Sequence, residues 1–540
     1  MSWCPDCRGL SQTPFDQWQF VRRTVLCLSW ALLFILRTGD LWALEFGEVR
    51  WGFNGSIQRH EFNLCSIDLI NPSAEAFQGP IEIAPGGSIY NSFPLVEPDV
   101  YIEPGATRTI QFTPYLGSEM PEWEVRWGRS LKADLPMPQR ENNVPVAVQF
   151  RNPQAASKPI LGIEAFSELD FPIGAPGTKT LGTVVLDHVP RWDEIRRKAF
   201  RDWLGSGGKL FLIGSRDGTT LEFPAPLEEL NIKADRFSVG QGTVIRHAPI
   251  QDAAEIAELA RQLTPMDPAP NGLNNNYNNS LNPRAAGISQ LVHSLQARVR
   301  PNHNWPLIFF LAVTYLLMLF PGIWIFSRKR GDFRVTYAAV LGTVALFSWL
   351  YAEVGKRGYD ETTGLHEMMI VEPLGKERVL QSSYANLFVT DGGEYPLSAR
   401  GDGAIFSLDA GGTDSARFSG SATMINRPDA KLIPDVPPFS SCSFLSQSVI
   451  STPQDYSLEI TKFESSNGGI QIEARVGGGI PPDAKVFFVS TASTGAELTP
   501  HDGSWGNRTG LIPLSSLFPV SYNYGWGQTS PGDLDNNLRA

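Results

Sequence analysis

Residues Trp305–Phe326 read WPLIFFLAVTYLLMLFPGIWIF, residues 327–334 read SRKRGDFR, and Val335–Val354 read VTYAAVLGTVALFSWLYAEV. These are two apolar runs joined by a short basic turn. The first carries no charged residue, and the second carries only Glu353, at its far end. At about 1.5 Å per residue the first run spans roughly 33 Å as a helix, enough for a bilayer core. Charged groups at mid-bilayer cost several kcal/mol, so their absence favours insertion. Trp305, Trp324, Trp349 and Tyr351 lie near the ends, where aromatic rings favour the interface. Pro321-Gly322 predicts a kink in the first helix, since Pro removes a backbone donor. A buried hairpin in a soluble core is the alternative, but two such long uncharged runs are rare there. Arg328, Lys329, Arg330 and Arg334 in the turn make loop 327–334 cytoplasmic by the positive-inside rule. Arg298, Arg300, Lys356 and Arg357 flank the outer ends and narrow the margin. With the turn inside, both large flanking regions are extracytoplasmic.

A chain of 540 residues suggests three or four domains, and its 42% hydrophobic content can build their cores. A formal net charge of −11 argues against nucleic-acid binding and against general attraction to anionic lipid. Cys4-Pro-Asp-Cys7 is a lone CxxC with no second ligand pair, so neither a metal nor a redox role follows and no cofactor is implied. Without the N-terminal segment only Cys65 and Cys442 remain, as two buried thiols or one long-range disulfide.

In chain order, residues 1–43 read as a signal peptide or N-terminal anchor. Arg22-Arg23 precede the apolar Thr24–Leu36, and Ala43 offers a cleavage position. Residues 45–130 predict an immunoglobulin-like β-sandwich. Glu61–Leu69 and Trp123–Trp127 alternate, Gly79–Ile83 and Thr107–Pro114 add strands, and Gly/Pro turns recur at about ten-residue spacing. Residues 144–265 change period. Val144–Phe150, Pro159–Ile163, Thr183–Asp187, Lys209–Gly214 and Gly240–Ile245 read as strands. Pro190–Leu204 reads as a helix, with Trp192, Ile195, Ala199, Trp203 and Leu204 on one face, and Gln251–Leu263 as another. Strand, helix and strand in under forty residues make a βαβ unit with parallel strands. Residues 266–304 form an Asn/Pro-rich linker, 305–354 the transmembrane hairpin, 355–520 a β-rich C-terminal domain and 521–540 a flexible tail. The fold class is multidomain α/β plus β.

The segment Val184–Gly214, VVLDHVPRWDEIRRKAFRDWLGSGGKLFLIG, resembles the class I glutamine-amidotransferase-like fold. A strand ends in Asp, a helix follows, and a W-x-x-x-G-G turn, Trp203 to Gly208, leads into the next strand. The order of segments is similar to a group of uncharacterised bacterial envelope proteins with a sandwich, an amidotransferase-like domain, a two-helix hairpin and a β-rich tail. Tyr315–Arg328, Lys356-Arg357-Gly358 and Ser383–Leu397 carry the likeness further. Catalytic members of that fold use a Cys on a tight elbow. This chain has no cysteine between Cys65 and Cys442 and reads Ile213-Gly214-Ser215-Arg216 at the strand end, so the amidotransferase activity does not carry over. The G-x-S-x-G turn of a Ser nucleophile is missing too.

Asp187 and His188 end a parallel strand, at the edge where open α/β sheets bind ligands, and Gly214 and Ser215 belong to the same edge. These four are the candidate ligand-binding residues. Against them stands a capping Asp and a loop His, since successive residues of a strand point to opposite faces. Gly240-Gln241-Gly242 lacks the Lys-[ST] of a phosphate loop and opens a strand, so it reads as a turn. The basic set Arg191, Arg196, Arg197, Lys198 and Arg201 is a solvated helix face or a dock for an acidic partner. The expected protein is a membrane component with two extracytoplasmic regions. Its partners would be the bilayer and other envelope proteins, and its role non-catalytic binding or scaffolding. A hydrolase or transferase working at the strand-end crevice is the alternative.

Overall fold

A computed structural model describes residues 44–86, 93–117, 122–128, 131–138, 140–141, 145–151, 159–160, 162–214, 221–249, 305–359, 362–375, 377–408, 421–426, 429–452, 458–466, 469–477, 484–490, 494–501, 504–507 and 510–513, with single positions between 255 and 296 and at 516. The expected signal (1–43), the Asn-rich stretch 268–283, the tail 521–540 and Ser215 lie outside the described residues. The chain is a mixture of helices and many sheets.

Strands from both sides of the apolar hairpin share one sheet. Leu131–Leu135, Trp123–Trp127, Phe77–Pro85 and Leu95–Ile102 run in that order, and the sheet continues into Ser421–Ile425, Lys431–Val436 and Gly393–Glu394. The junction is parallel, with Met424 opposite Leu95. Behind it lie a three-stranded sheet, Glu45–Trp51, Cys65–Ile70 and Thr107–Phe112, and a four-stranded one, Gly364–Gly375, Arg378–Val389, Ser440–Ser451 and Asp402–Ser407. One hydrophobic core runs through all three, joining Ile67, Ile83, Val125 and Tyr115 to Val389, Phe406, Met424 and Leu432. Tyr115 and Phe406 pack with ring centroids 5.3 Å apart, and the Asn426 side chain donates to the Thr113 carbonyl at 3.0 Å. The sequence divides these strands between two regions. Their shared core places them in one body. Cys65 and Cys442 are buried in this core and free, and burial pushes the Cys65 thiol far above its ordinary range.

Local chemistry explains where the elements start and stop. Glu61–Leu69 is two strands, Glu61–Phe62 and Cys65–Ile70, because the Asn63 side chain donates to the Gln58 and Glu61 carbonyls and accepts from the Gln58 N–H. Pro159–Ile163 is not a strand. Ile160 and Ile163 turn inward to pack near Leu259 and Leu263, and the strand is Glu164–Ser167.

The second unit is a six-stranded sheet in the order Glu164–Ser167, Val146–Arg151, Leu181–Leu186, Lys209–Ile213, Gly242–His247 and Arg236–Val239. All neighbours are parallel except the last, an antiparallel edge strand. Period-two alternation splits its core between the faces. Val184, Leu186, Leu210 and Leu212 face one side, and Val185, Phe211 and Ile213 face Leu259 and Leu263 on the other. The helix is Glu194–Gly205, not Pro190–Leu204, because the Asp193 carboxylate caps it by accepting from the Arg196 N–H at 2.8 Å. Trp192 precedes the helix and packs on Phe200, with ring centroids 4.8 Å apart. Ile195 is 43% exposed and Phe200 takes the buried position.

Two glycine turns of this unit seat the hairpin between Gly364–Gly375 and Arg378–Val389. A Cβ on Gly240 would stand 2.1 Å from the Leu374 carbonyl oxygen, and one on Gly205 2.6 Å from it. The Gln241 side chain donates to the Pro373 carbonyl at 3.0 Å, and Arg378 forms an ion pair with the buried Asp202. Gly240-Gln241-Gly242 is thus a docking turn. On another side, Arg50 reaches Asp170 at 3.1 Å and Gln111 donates to the Asp170 carbonyl. Leu458–Ser466 through Ile512–Pro513 build a separate six-stranded sheet.

The hairpin helices are Trp305–Leu317, continuing through a π-helical turn, Met318–Gly322, into Ile323–Arg330, and then Phe333–Tyr359. The predicted kink at Pro321 takes the form of this π turn, which absorbs the missing N–H. Gly331 adopts φ +62° in the connection, and Asp332 caps the second helix by accepting from the Arg334 N–H at 3.0 Å. Pro306–Ile325 and Phe333–Val354 have mean hydropathies of 2.2 and 1.5, and only 6% of either is buried. Both helices are long and apolar enough to cross a membrane. Phe309, Phe320, Leu341 and Trp349 point away from the protein, whereas a core helix in a soluble protein buries such side chains. Tyr315 and Phe347 join the two helices at 5.1 Å, and Thr314 and Thr343 hydroxyls bond to carbonyls one turn back.

Gly240 supplies a direct check on the docking. Gly240→Ala combines a positive φ of +58° with the 2.1 Å clash and is expected to lower stability by about 2 kcal/mol or more. Gly105→Ala, at φ +67° with nothing within 4 Å, is expected to cost only about 1 kcal/mol. Thermal denaturation of the detergent-solubilised protein separates the two.

Candidate functional site

Leu181–Leu186 and Lys209–Ile213 are adjacent parallel strands, with Leu186 opposite Leu212, so Asp187 and Gly214 leave the sheet at the same edge. Asp187 and His188 lie in a bend beyond the last strand residue, where alternation no longer separates their side chains. The Asp187 carboxylate meets His188 Nδ1 at 2.7 Å. His188 Nε2 meets a second carboxylate, Glu168 Oε1, at 3.1 Å. Glu168 is buried, its other oxygen accepts from the Arg191 N–H, and its carbonyl accepts from the Trp192 indole at 2.7 Å.

Burial alone lowers the affinity of His188 for a proton, but the bond to Asp187 and the charges of Asp187 and Glu168 outweigh it. The His188 pKa therefore lies above the usual histidine range. A carboxylate on each ring nitrogen favours the protonated ring, which donates at both ends. A general base needs one nitrogen open to the proton it removes. Here the ring ties the loop after Glu164–Ser167 to the loop after Leu181–Leu186.

Gly214 turns elsewhere. Its N–H donates to the His247 carbonyl at 2.9 Å, and a Cβ there would press on Pro249 at 3.3 Å. Among the candidate residues the structure brings together Asp187 and His188, sets Gly214 against the neighbouring strand end, and does not describe Ser215. Glu168 completes the cluster and went unseen in the sequence. Its signal is the run Ser167-Glu168-Leu169-Asp170, a capping box: the Asp170 carboxylate accepts from the Ser167 N–H, and the Ser167 hydroxyl accepts from the next turn. That box orients Glu168 inward.

Most of the basic helix face is occupied within the chain. Arg196 bonds Asp193 and the Leu169 and Phe171 carbonyls, Lys198 pairs with Glu194, and Arg201 pairs with Glu229. Among the described residues no group of His, Cys, Asp and Glu has the arrangement of a metal site. Asp202 is the second perturbed group. Burial raises its pKa to about 6 against the pull of Arg378.

The sequence matches no protein-family description, and no curated protein is similar to it. Among solved structures, the crystal structure of a Paenibacillus sp. cycloisomaltooligosaccharide glucanotransferase complexed with cycloisomaltoheptaose aligns with 75% of this chain and 72% of its own, at 8% identity and a TM-score of 0.16. At that score the two backbones do not correspond, and the match bears on neither fold nor activity.

The His188 cluster has a pH signature. A histidine with a raised folded pKa contributes stability that is fully present below about pH 6.5 and lost as pH rises through the folded value. His188→Gln is therefore expected to cost roughly 1–3 kcal/mol at about pH 6, with the deficit shrinking at higher pH. Asp202 also loses stabilising influence as pH rises, but between about pH 4 and about pH 6, so denaturation across pH distinguishes the two.

Proposed function

We propose that the chain is a membrane-anchored, non-catalytic component of the cell envelope whose folded parts bind or scaffold on the extracytoplasmic side. One observation carries the reading. Residues before and after the apolar hairpin build one core and one sheet, joined where Met424 pairs with Leu95. A chain that enters a bilayer and returns to complete the same core must re-emerge on the side it left. Two spans joined by the turn Gly331-Asp332 meet that condition, and each is about 30 Å long at 1.5 Å per residue. Arg328, Lys329, Arg330 and Arg334 at the turn favour the cytoplasm, which leaves the folded parts outside.

The engagement of both His188 nitrogens within the chain argues against His188 as a general base at the strand-end edge. The resemblance to envelope proteins with an amidotransferase-like domain lacking its nucleophile fits the same role. Other envelope proteins are the proposed partners, with the bilayer as anchor.

Protease added to spheroplasts is expected to digest the folded parts while sparing residues 327–334. Cleavage within 327–334 with the folded parts intact would invert the orientation. Turnover of a small substrate by the wild type, lost in Asp187→Asn and retained in a surface control, would remove the non-catalytic reading.

A further inference from the structure

The strand Gly364–Gly375 begins shortly after the second apolar helix ends at Tyr359 and forms one border of the four-stranded sheet. Its inner edge pairs with Arg378–Val389 along nearly its whole length. No described strand pairs with its outer edge. Both faces are open: Leu365 and Met369 are exposed on one, Ile370 on the other, with Met369 at 54% and Ile370 at 44%. Soluble proteins blunt such edges with Lys, Pro or bulges. From Gly364 to Glu372 there is no Lys, Arg or Pro, and the pairing irregularity comes only at Pro373 and Gly375.

We propose that this edge pairs antiparallel with the same strand of a second copy of the chain, about a two-fold axis at Met369. The strand's own polar side chains select the partner and the register. A two-fold axis normal to the sheet keeps each side chain on its face, so only residues an even number apart stand opposite one another. With the axis at Met369, His366 faces Glu372 of the second copy, and the same pair recurs on the other side of the axis. Met368 faces Ile370 twice between them, and Met369 faces itself. His366 and Glu372 are both exposed and free to meet. A histidine directly across from a carboxylate in an antiparallel pair can donate a hydrogen bond to it, and like charges there oppose pairing. Shifting the axis to Met368 sets His366 against Ile370. Shifting it to Ile370 sets Glu372 against Met368, and an axis at Glu367 puts two carboxylates face to face. In the proposed register Glu367 faces Val371, but its carboxylate already accepts from the Ser383 hydroxyl within its own sheet. The pairing needs no membrane, so it stands apart from the anchoring role.

The test uses the full chain with Cys4, Cys7 and Cys27 replaced by Ser, in detergent and in vesicles. Residues directly opposite in an antiparallel pair have Cα atoms about 4.5–5.5 Å apart, within disulfide reach. Oxidised Met369→Cys is expected to run as a dimer of the 59.5 kDa chain. Glu372→Cys, roughly 20 Å from its copy in this register, is expected to stay monomeric on the same gel. His366→Glu is expected to weaken the dimer about tenfold by light scattering, and adding Glu372→His is expected to restore it. A Met369→Cys chain that cross-links no better than Glu372→Cys would overturn the proposal. So would a monomer in both detergent and vesicles, whether the strand then buries its apolar side chains in lipid or holds a different protein.

Discussion

The pairing of Leu95–Ile102 with Ser421–Ile425 is the contact on which the rest of the chain depends. More than three hundred residues and the whole apolar hairpin separate these strands. Closing so long a loop costs conformational entropy, and the cost is offset by burying the apolar faces of three sheets together. Ile83, Val125, Val389 and Leu432 are fully buried in this shared core. The hairpin is therefore an insertion in a folded body, and its two ends are held near one another by that body.

The α/β unit is fastened to this body by turns with no room for a side chain. Gly205 and Gly240 close around the Leu374 carbonyl, and the Asp202–Arg378 pair sits beside them. A buried carboxylate is costly unless a cation answers it, and the burial that raises the pKa of Asp202 measures that cost. Similar logic applies at His188, whose ring, set between two carboxylates, holds two loops together. Polar groups at these junctions set geometry, while the apolar cores supply most of the stabilisation.

Much of the local structure was legible in the sequence. The hairpin was visible because two long, nearly uncharged apolar runs stand out by length and composition at once. The strands Trp123–Trp127 and Lys209–Ile213 showed in alternation or in short apolar runs. Elements whose limits depend on a single side chain were harder to read. Asn63 breaks a continuous alternating run by capping its neighbours, and Asp193 moves a helix start past Pro190. The long-range pairing left no local trace, since either half alone reads as a plausible β domain. At the candidate site, Asp187 and His188 were visible by their place at a strand end. Glu168 was hidden because its partner lies twenty residues away and its orientation comes from a 3-10 turn. Arg378 and Asp202 meet only in three dimensions.

The shared core is tested most directly by a covalent link across it. In a chain with its five cysteines replaced by Ala, Leu95→Cys and Met424→Cys would place two thiols at paired positions of adjacent strands, within disulfide reach. A protease site inserted between Gly331 and Asp332 then allows the hairpin to be cut. After oxidation and cleavage, the two halves are expected to migrate together at the mass of one chain without reductant and to separate with it. Halves that part without reductant, or that cross-link only between chains, would contradict a body built from both sides of the hairpin.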